Sequence, residues 1–264
     1  MKLAIAGSGG RMGRMLIEAA LAADDLSIVA ALERPDAPQI GQDCALFLGR
    51  AGGALIGSDP SAIAQADVLI DFTRPEATLR HLRVCVEHRV RAVIGTTGFD
   101  EAGRRQVEQA ARSVPVVFSP NMSVGVNVTF RLAELAARML GEEFDVEIVE
   151  AHHRDKVDAP SGTALRLGEL VASARGRTLQ QVAVYARHGV TGPRQPGSVG
   201  FSVIRGGDLV GDHTVMFAGN GERVEITHRS SSRMTYALGA LRAARFLAQR
   251  EPGLYDMRDV LGLG

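Results

Sequence analysis

The chain has 264 residues, 45% hydrophobic and 23% charged, a globular balance with enough material for one large domain or two modest ones. Thirty basic side chains cancel thirty acidic ones, so no global charge draws the chain to nucleic acid or an anionic membrane. The absence of tryptophan and the 5% aromatic content argue against base-stacking platforms. The two cysteines, Cys44 and Cys85, lack metal-ligand spacing and read as buried thiols of a reducing compartment. No window approaches the ~20 apolar residues that cross a bilayer. The first apolar run stops at Gly7, with Arg11, Arg14 and Glu18 close behind, too short for an export signal. The expectation is a cytoplasmic protein with no membrane, nucleic-acid or metal partner.

In chain order, residues 2–6 predict a buried strand, 11–23 a helix and 26–32 a second strand. Strands follow at 68–71, 92–94 and 116–118, with helices over 75–87 and 100–112 between them. This alternation implies a parallel sheet. The rhythm then changes. A long helical pattern covers 124–140, a strand 144–149, and a helix begins at 161 or 162 and runs to 174. Strand-like runs at 199–204, 209–217 and 223–228 are joined by glycine turns and suggest an antiparallel or mixed sheet. A last helix spans 234–249. The chain leaves the first domain and returns to it near 119–124 and 230–234, the expected hinge.

Gly7-Ser8-Gly9-Gly10-Arg11-Met12-Gly13 lies between the first strand and the first helix. Glycines there permit a tight turn and let a pyrophosphate approach the helix N-terminus. The spacing departs from G-x-G-x-x-G, because the third glycine falls at 13. Glu33 ends the second strand, where an acid holds an adenosine ribose hydroxyl. Arg34 follows it and can pair with a ribose 2′-phosphate, so use of both NADH and NADPH is expected. Asp71-Phe72-Thr73-Arg74-Pro75, Gly95-Thr96-Thr97-Gly98 and Ser119-Pro120-Asn121-Met122 follow other strand ends at the same sheet edge.

Residues 150–164 gather His152, His153, Lys156, three carboxylates and a Pro-Ser-Gly-Thr turn that opens a helix. Imidazoles exchange protons near neutral pH. Unpaired amides at a helix start attract anions. The parts suit a small anionic substrate that needs a proton. His152 is the candidate acid, with Glu150 or Asp155 as a group that tunes it. Lys156 can neutralise a carboxylate or share in proton delivery. Ser161, Gly162 and Thr163 can bind a carboxylate, and Ser161 and Thr163 can equally cap the helix. Asp158 is expected to fix the turn. Arg233 either reaches a second carboxylate or forms a structural salt bridge.

Together, Gly7 to Gly13, Asp71 to Pro75, Gly95 to Gly98, Ser123-Val124-Gly125-Val126-Asn127, Glu150-Ala151-His152-His153 and Lys156 to Ala164 resemble the 4-hydroxy-tetrahydrodipicolinate (dihydrodipicolinate) reductases. The likeness runs nearly end to end, through Ser231-Ser232-Arg233-Met234 to the tail from Tyr255 to Val260. It implies an α/β protein, with a Rossmann-type parallel sheet domain at 1–122 and 234–264. An α+β substrate-binding and oligomerisation domain at 123–233 would carry a mixed four-stranded sheet and build a homotetramer. It implies reduction of a cyclic dicarboxylate by NADH or NADPH on the diaminopimelate route to lysine. His152 and Lys156 would be catalytic, and His153, Gly162 and Thr163 would contact substrate. Gly7, Ser8, Gly9, Gly10, Arg11, Met12, Glu33, Arg34, Gly95, Thr96, Thr97, Ser119, Pro120, Asn121 and Met122 would contact cofactor, with Phe72 in the loop beside them.

Two rival readings remain. One is another NAD(P)-dependent reductase of a small imino or keto acid. The other is a non-catalytic NAD(P)H sensor, which would have no use for the cluster from His152 to Thr163. A metal hydrolase fits worse, because adjacent histidines lack the i, i+4 spacing of a helical zinc pair.

Overall fold

A computed structural model describes residues 1–263. The chain forms two compact units, Met1–Val124 with the segment from Arg233 onward, and Gly125–Ser232. Among the described residues, no helix is long and apolar enough to cross a membrane.

In the first unit, β1 (Lys2–Ala6), α1 (Arg11–Leu21), β2 (Ser27–Leu32) and β3 (Ile56–Gly57) come first. They are followed by β4 (Val68–Asp71), α2 (Pro75–His88), β5 (Arg91–Ile94), α3 (Glu101–Ala111) and β6 (Pro115–Phe118). In the second unit, α4 (Val124–Leu140) leads into β7 (Asp145–His152), α5 (Gly162–Ala174), α6 (Leu179–Val182) and β8 (Ala183–Val184). Three longer strands follow: β9 (Val199–Arg205), β10 (Gly211–Ala218) and β11 (Arg223–Ser230). The chain returns to the first unit as α7 (Met234–Leu247), β12 (Gly253–Tyr255) and α8 (Met257–Leu261).

The first sheet has seven strands in the order β12-β6-β5-β4-β1-β2-β3, every pairing parallel. Its central strands are apolar on both faces, as helix-covered parallel strands must be. Leu3, Ile5, Val68 and Ile70 pack with α1 and α7. Ala4, Leu69, Ala92 and Val116 pack with α2 and α3 on the other face. Strand order reverses between β1 and β4, so the loops after those strands flank the crevice where such sheets bind ligands.

The second sheet runs β11-β10-β7-β9-β8, with β7, β9 and β8 mutually parallel and β10 antiparallel to both β7 and β11. It is mixed, as expected. The fifth strand is the two-residue edge strand β8, too short to leave a periodic signature in the sequence. Strand alternation sends Val146 and Ile148 of β7, and Val215 and Phe217 of β10, to the face covered by Leu167 and Val171 of α5. A Cβ on Gly168 would lie 2.6 Å from the Phe201 ring, so glycine lets α5 pack closely on the sheet.

Candidate active site

At the cofactor edge, Gly7 adopts φ +70°, a left-handed turn that suits glycine, and the Gly10 amide donates to its carbonyl across 3.0 Å. A Cβ at Gly13 would collide with that carbonyl oxygen and lie 2.6 Å from Ser8 Cα. Helix α1 can start this close to β1 only with glycine at 13, which is where the departure from the usual spacing places it. The Gly9 amide donates to Glu33 Oε2 across 3.1 Å, and the Arg34 amide to Oε1 across 3.0 Å. The acid just after β2 therefore touches the glycine loop. Arg11 and Arg34 are exposed, Arg34 lying 3.7 Å from Asp36. Ser8 is buried, with its amide and hydroxyl donating to Leu32 O. Met12 is half-buried against the core.

The neighbouring loops are braced from within. Asp71, fully buried at the end of β4, accepts from the Thr73 amide and hydroxyl at 2.8 and 2.6 Å and from His81 Nδ1 at 2.7 Å. Thr78 and Thr96 share a hydroxyl bond of 2.8 Å, which ties α2 to the loop after β5. A Cβ at Gly95 would run into the Phe72 ring, so glycine there admits the aromatic side chain. Thr97 and Pro120 are exposed, Ser119 donates to Asn121 O across 3.0 Å, and Asn121 Oδ1 accepts from the Ser123 amide at 2.9 Å. Met122 lies deeper than a loop contact: its side chain is fully buried in the core beneath α7, and Gly239 packs on its carbonyl. An unbranched thioether fills such a gap well.

In the second unit, the apolar face of β7 turns polar at its end. Val146 and Ile148 are succeeded, in the same alternation, by Glu150 and His152, both buried. Across β10, His213 faces Glu150 in register; across β9, Arg205 faces His152. His152 Nδ1 donates to Glu150 Oε2 across 2.5 Å. Arg205 donates to both Glu150 oxygens, each at 2.8 Å, and to Asp158 O at 2.6 Å. The Ser161 amide adds a fourth donor at 3.0 Å. Burial alone would raise the Glu150 pKa; the bonds from Arg205, His152 and Ser161 outweigh that and hold it below its ordinary value. Burial lowers the His152 pKa, and Glu150 pulls it part of the way back.

Ser161 caps α5. Its Oγ accepts from the Ala164 amide at 3.2 Å and lies 2.9 Å from His213 Nε2. Burial first, and the neighbouring His152 second, push the His213 pKa down to about 4, so this ring is neutral at pH 7. Its Nε2 and the Ser161 hydroxyl share one hydrogen bond, while the buried Nδ1 has no hydrogen-bond partner among the described residues. The two imidazoles meet edge to face, 5.1 Å between centroids. A Cβ at Gly211 would lie 3.0 Å from His152 Nε2, so glycine keeps that nitrogen uncrowded. At Gly162 a Cβ would meet nothing within 4 Å: the helix start is open.

The structure thus joins His152 and Ser161 through the Glu150 carboxylate. Lys156 donates to Asp158 Oδ1 across 2.8 Å and lies near enough to depress the His152 pKa. His153 falls beyond the strand; its amide donates to Leu209 O across 2.8 Å, and its ring is half-buried, outside the Glu150–His152 pair. Thr163 lies in the first turn of α5, and Arg233 caps α7 in the other unit. Of the two proposed tuning groups, Glu150 bonds His152 and Asp155 is exposed. Sequence reading missed Arg205 and His213. His213 did carry a signal: it falls in step with the buried residues Val215 and Phe217, where a polar side chain needs a partner.

A nucleotide-type parallel sheet with an acid after its second strand, and a buried imidazole–carboxylate pair in the second unit, are the parts a nicotinamide-dependent oxidoreductase requires. Family models described as dihydrodipicolinate reductase, N-terminus and C-terminus, match residues 1–122 and 125–261. A 4-hydroxy-tetrahydrodipicolinate reductase of Herminiimonas arsenicoxydans is 59% identical over 264 residues, 100% of this chain and 98% of that protein. One from Burkholderia pseudomallei is 61% identical over the whole of both chains. A dipicolinate-bound dihydrodipicolinate reductase from Paenisporosarcina sp. TG-14 shares the fold, with TM-score 0.78 at 24% identity over 98% of each chain. The chain belongs to the dihydrodipicolinate reductase family. It is an enzyme of the diaminopimelate route to lysine that reduces 4-hydroxy-tetrahydrodipicolinate with NADH or NADPH. Both rival readings give way to that membership.

Proposed function

We propose that His152 is the general acid of this reduction, held by Glu150. The carrying observation is the 2.5 Å bond from its Nδ1. That bond fixes the ring so that Nε2 is the nitrogen free to deliver a proton, beside Gly211. The substrate is a cyclic imine or enamine with two carboxylates. Hydride arriving on an electron-poor carbon leaves electron density that must be quenched, and a placed acid contributes about 10²–10⁴-fold. A bound nicotinamide supplies the hydride. Gly7, Ser8, Gly9, Gly10, Arg11 and Met12 would hold its pyrophosphate, and Glu33 and Arg34 the adenosine ribose. Phe72, Gly95, Thr96, Thr97, Ser119, Pro120, Asn121 and Met122 would shape the edge beyond.

Ser161, Gly162 and Thr163 would receive one substrate carboxylate. The support is the open start of a 13-residue helix at Gly162, where a Cβ would meet nothing within 4 Å and the helix dipole favours an anion. Lys156 would neutralise charge beside it, and His153 and Arg233 would contact the remaining polar groups. A crystal of the ternary complex with NADH and a dicarboxylate analogue tests this. Carboxylate oxygens within hydrogen-bond distance of the Gly162 and Thr163 amides support the reading. A carboxylate seated elsewhere overturns it.

We also infer a cytoplasmic homotetramer built through the second unit. Ile204, 50% exposed on the face of the sheet turned away from α5, supports a covered face. Light scattering should return about four times the 28.1 kDa chain mass. A monomer at working concentration overturns the assembly.

A further inference from the structure

We propose that the first unit carries a second anion site, for a small organic molecule with two or more negative charges, in a cleft at the sheet edge opposite the cofactor loops. The cleft, about 560 Å³, lies where β5, β6 and β12 begin, between the end of α2, the turn after α3 and the link that precedes β12. Strands β5 and β6 are four residues each, so their length, about 13 Å, separates it from the loops that start at Gly95 and Ser119.

Three arginines line it: Arg89, Arg91 and Arg250. Elsewhere the chain pairs arginines with carboxylates, as at Glu150, Glu147 and Glu134. Among the described residues none of these three has a carboxylate oxygen within 4.0 Å, although Glu251 sits on the same rim. Like charges gathered without partners repel one another, and a bound polyanion removes that cost.

Two of the three guanidinium groups are also placed by contacts. Arg91 donates from one terminal nitrogen to Ala248 O across 3.3 Å, while its buried Nε has no partner. Arg250 lies over the Phe246 ring, 4.2 Å from its centroid. Arg89 ends α2 at φ +57°, the one non-glycine residue with positive φ among the described residues. Glycine is the residue that favours such a helix end. The chain keeps a guanidinium where the backbone alone would favour a hydrogen atom. Ser113 adds a hydroxyl at the mouth, and buried Val114 and Pro115 give an apolar wall for an organic body. Phosphate monoesters and dicarboxylates share this chemistry.

Arg89→Gly tests the site with little risk to the fold, because it relieves the backbone. Titration calorimetry would use the whole enzyme saturated with NADH, so that the nucleotide loop is filled. Glycerol 3-phosphate and glutarate are the two probes, and whichever binds names the source class. The expected result is a Kd below about 1 mM for at least one probe. Arg89→Gly and Arg250→Gln should each weaken it at least about tenfold, with basal turnover unchanged. Weaker binding of both probes, or binding that survives in both variants, overturns the site.

Discussion

His152 and Glu150 are bound to each other across 2.5 Å at the end of one strand, and the carboxylate of the pair is gripped by both arms of Arg205. The contact makes the imidazole a better-held proton donor in two ways. It fixes which nitrogen faces outward, and it raises a pKa that burial would otherwise carry lower still.

Glu150→Gln removes the charge and keeps the shape. A general acid works while it is protonated, so activity is lost as pH rises through its pKa. Without the carboxylate that pKa falls further, and the alkaline limb of kcat moves to lower pH. Once the pKa lies below the assay pH, every further tenfold increase in the ring's acid dissociation constant leaves about tenfold less of the protonated form. Arg205→Gln should move the limb the other way, because the Arg205 charge lowers the His152 pKa and its removal lets it rise. NADH affinity, read by fluorescence titration, should stay constant in both. An unmoved pH profile would reduce the pair to a structural contact.

His213 should make stability depend on pH. Its folded pKa of about 4 lies below the ordinary 6.5, so protonation favours unfolding. The neutral ring's stability is fully present above pH 6.5 and falls away as pH drops toward 4. The loss is about 3 kcal/mol at most. Urea unfolding across that window should show a steeper decline for the parent than for His213→Asn. Parallel curves would contradict it.

Gly13→Ala should destabilise the first unit by about 2 kcal/mol or more, because the added methyl meets backbone rather than a movable side chain. The same change pushes α1 away from the loop and should raise KM for NADH and NADPH alike. Unchanged thermal unfolding would show that the helix start has slack.

Arg34 is exposed and only loosely paired with Asp36, while Glu33 holds the loop. An acid for a ribose hydroxyl and a mobile cation for a 2′-phosphate predict use of both cofactors. The ratio of kcat/KM values should stay within about a hundredfold, near 3 kcal/mol. Arg34→Ala should weaken NADPH selectively. A larger native preference would contradict dual use.

The architecture was legible because its signals are local. Val68 to Asp71 is an apolar run closed by an acid, and the β1–loop–α1 passage announces itself in glycine. The short edge strands at Ile56, Ala183 and Gly253 escaped, since two or three residues show no period. The motif from Glu150 to Thr163 gave His152, Lys156 and the helix start, because these lie close in sequence. Arg205 and His213 come from other strands, 55 and 63 positions away from Glu150. Only sheet register makes them its neighbours. Met122 shows the converse: a residue inside a recognised loop motif whose side chain belongs to the core.

The most direct test of the acid is His152→Gln, which keeps a polar group of similar size and cannot deliver the proton. Single-turnover and steady-state rates should both fall by about 10²-fold or more, with the NADH dissociation constant unchanged. A variant that reduces substrate within about threefold of the parent rate would contradict the assignment and leave the proton donor to be found elsewhere.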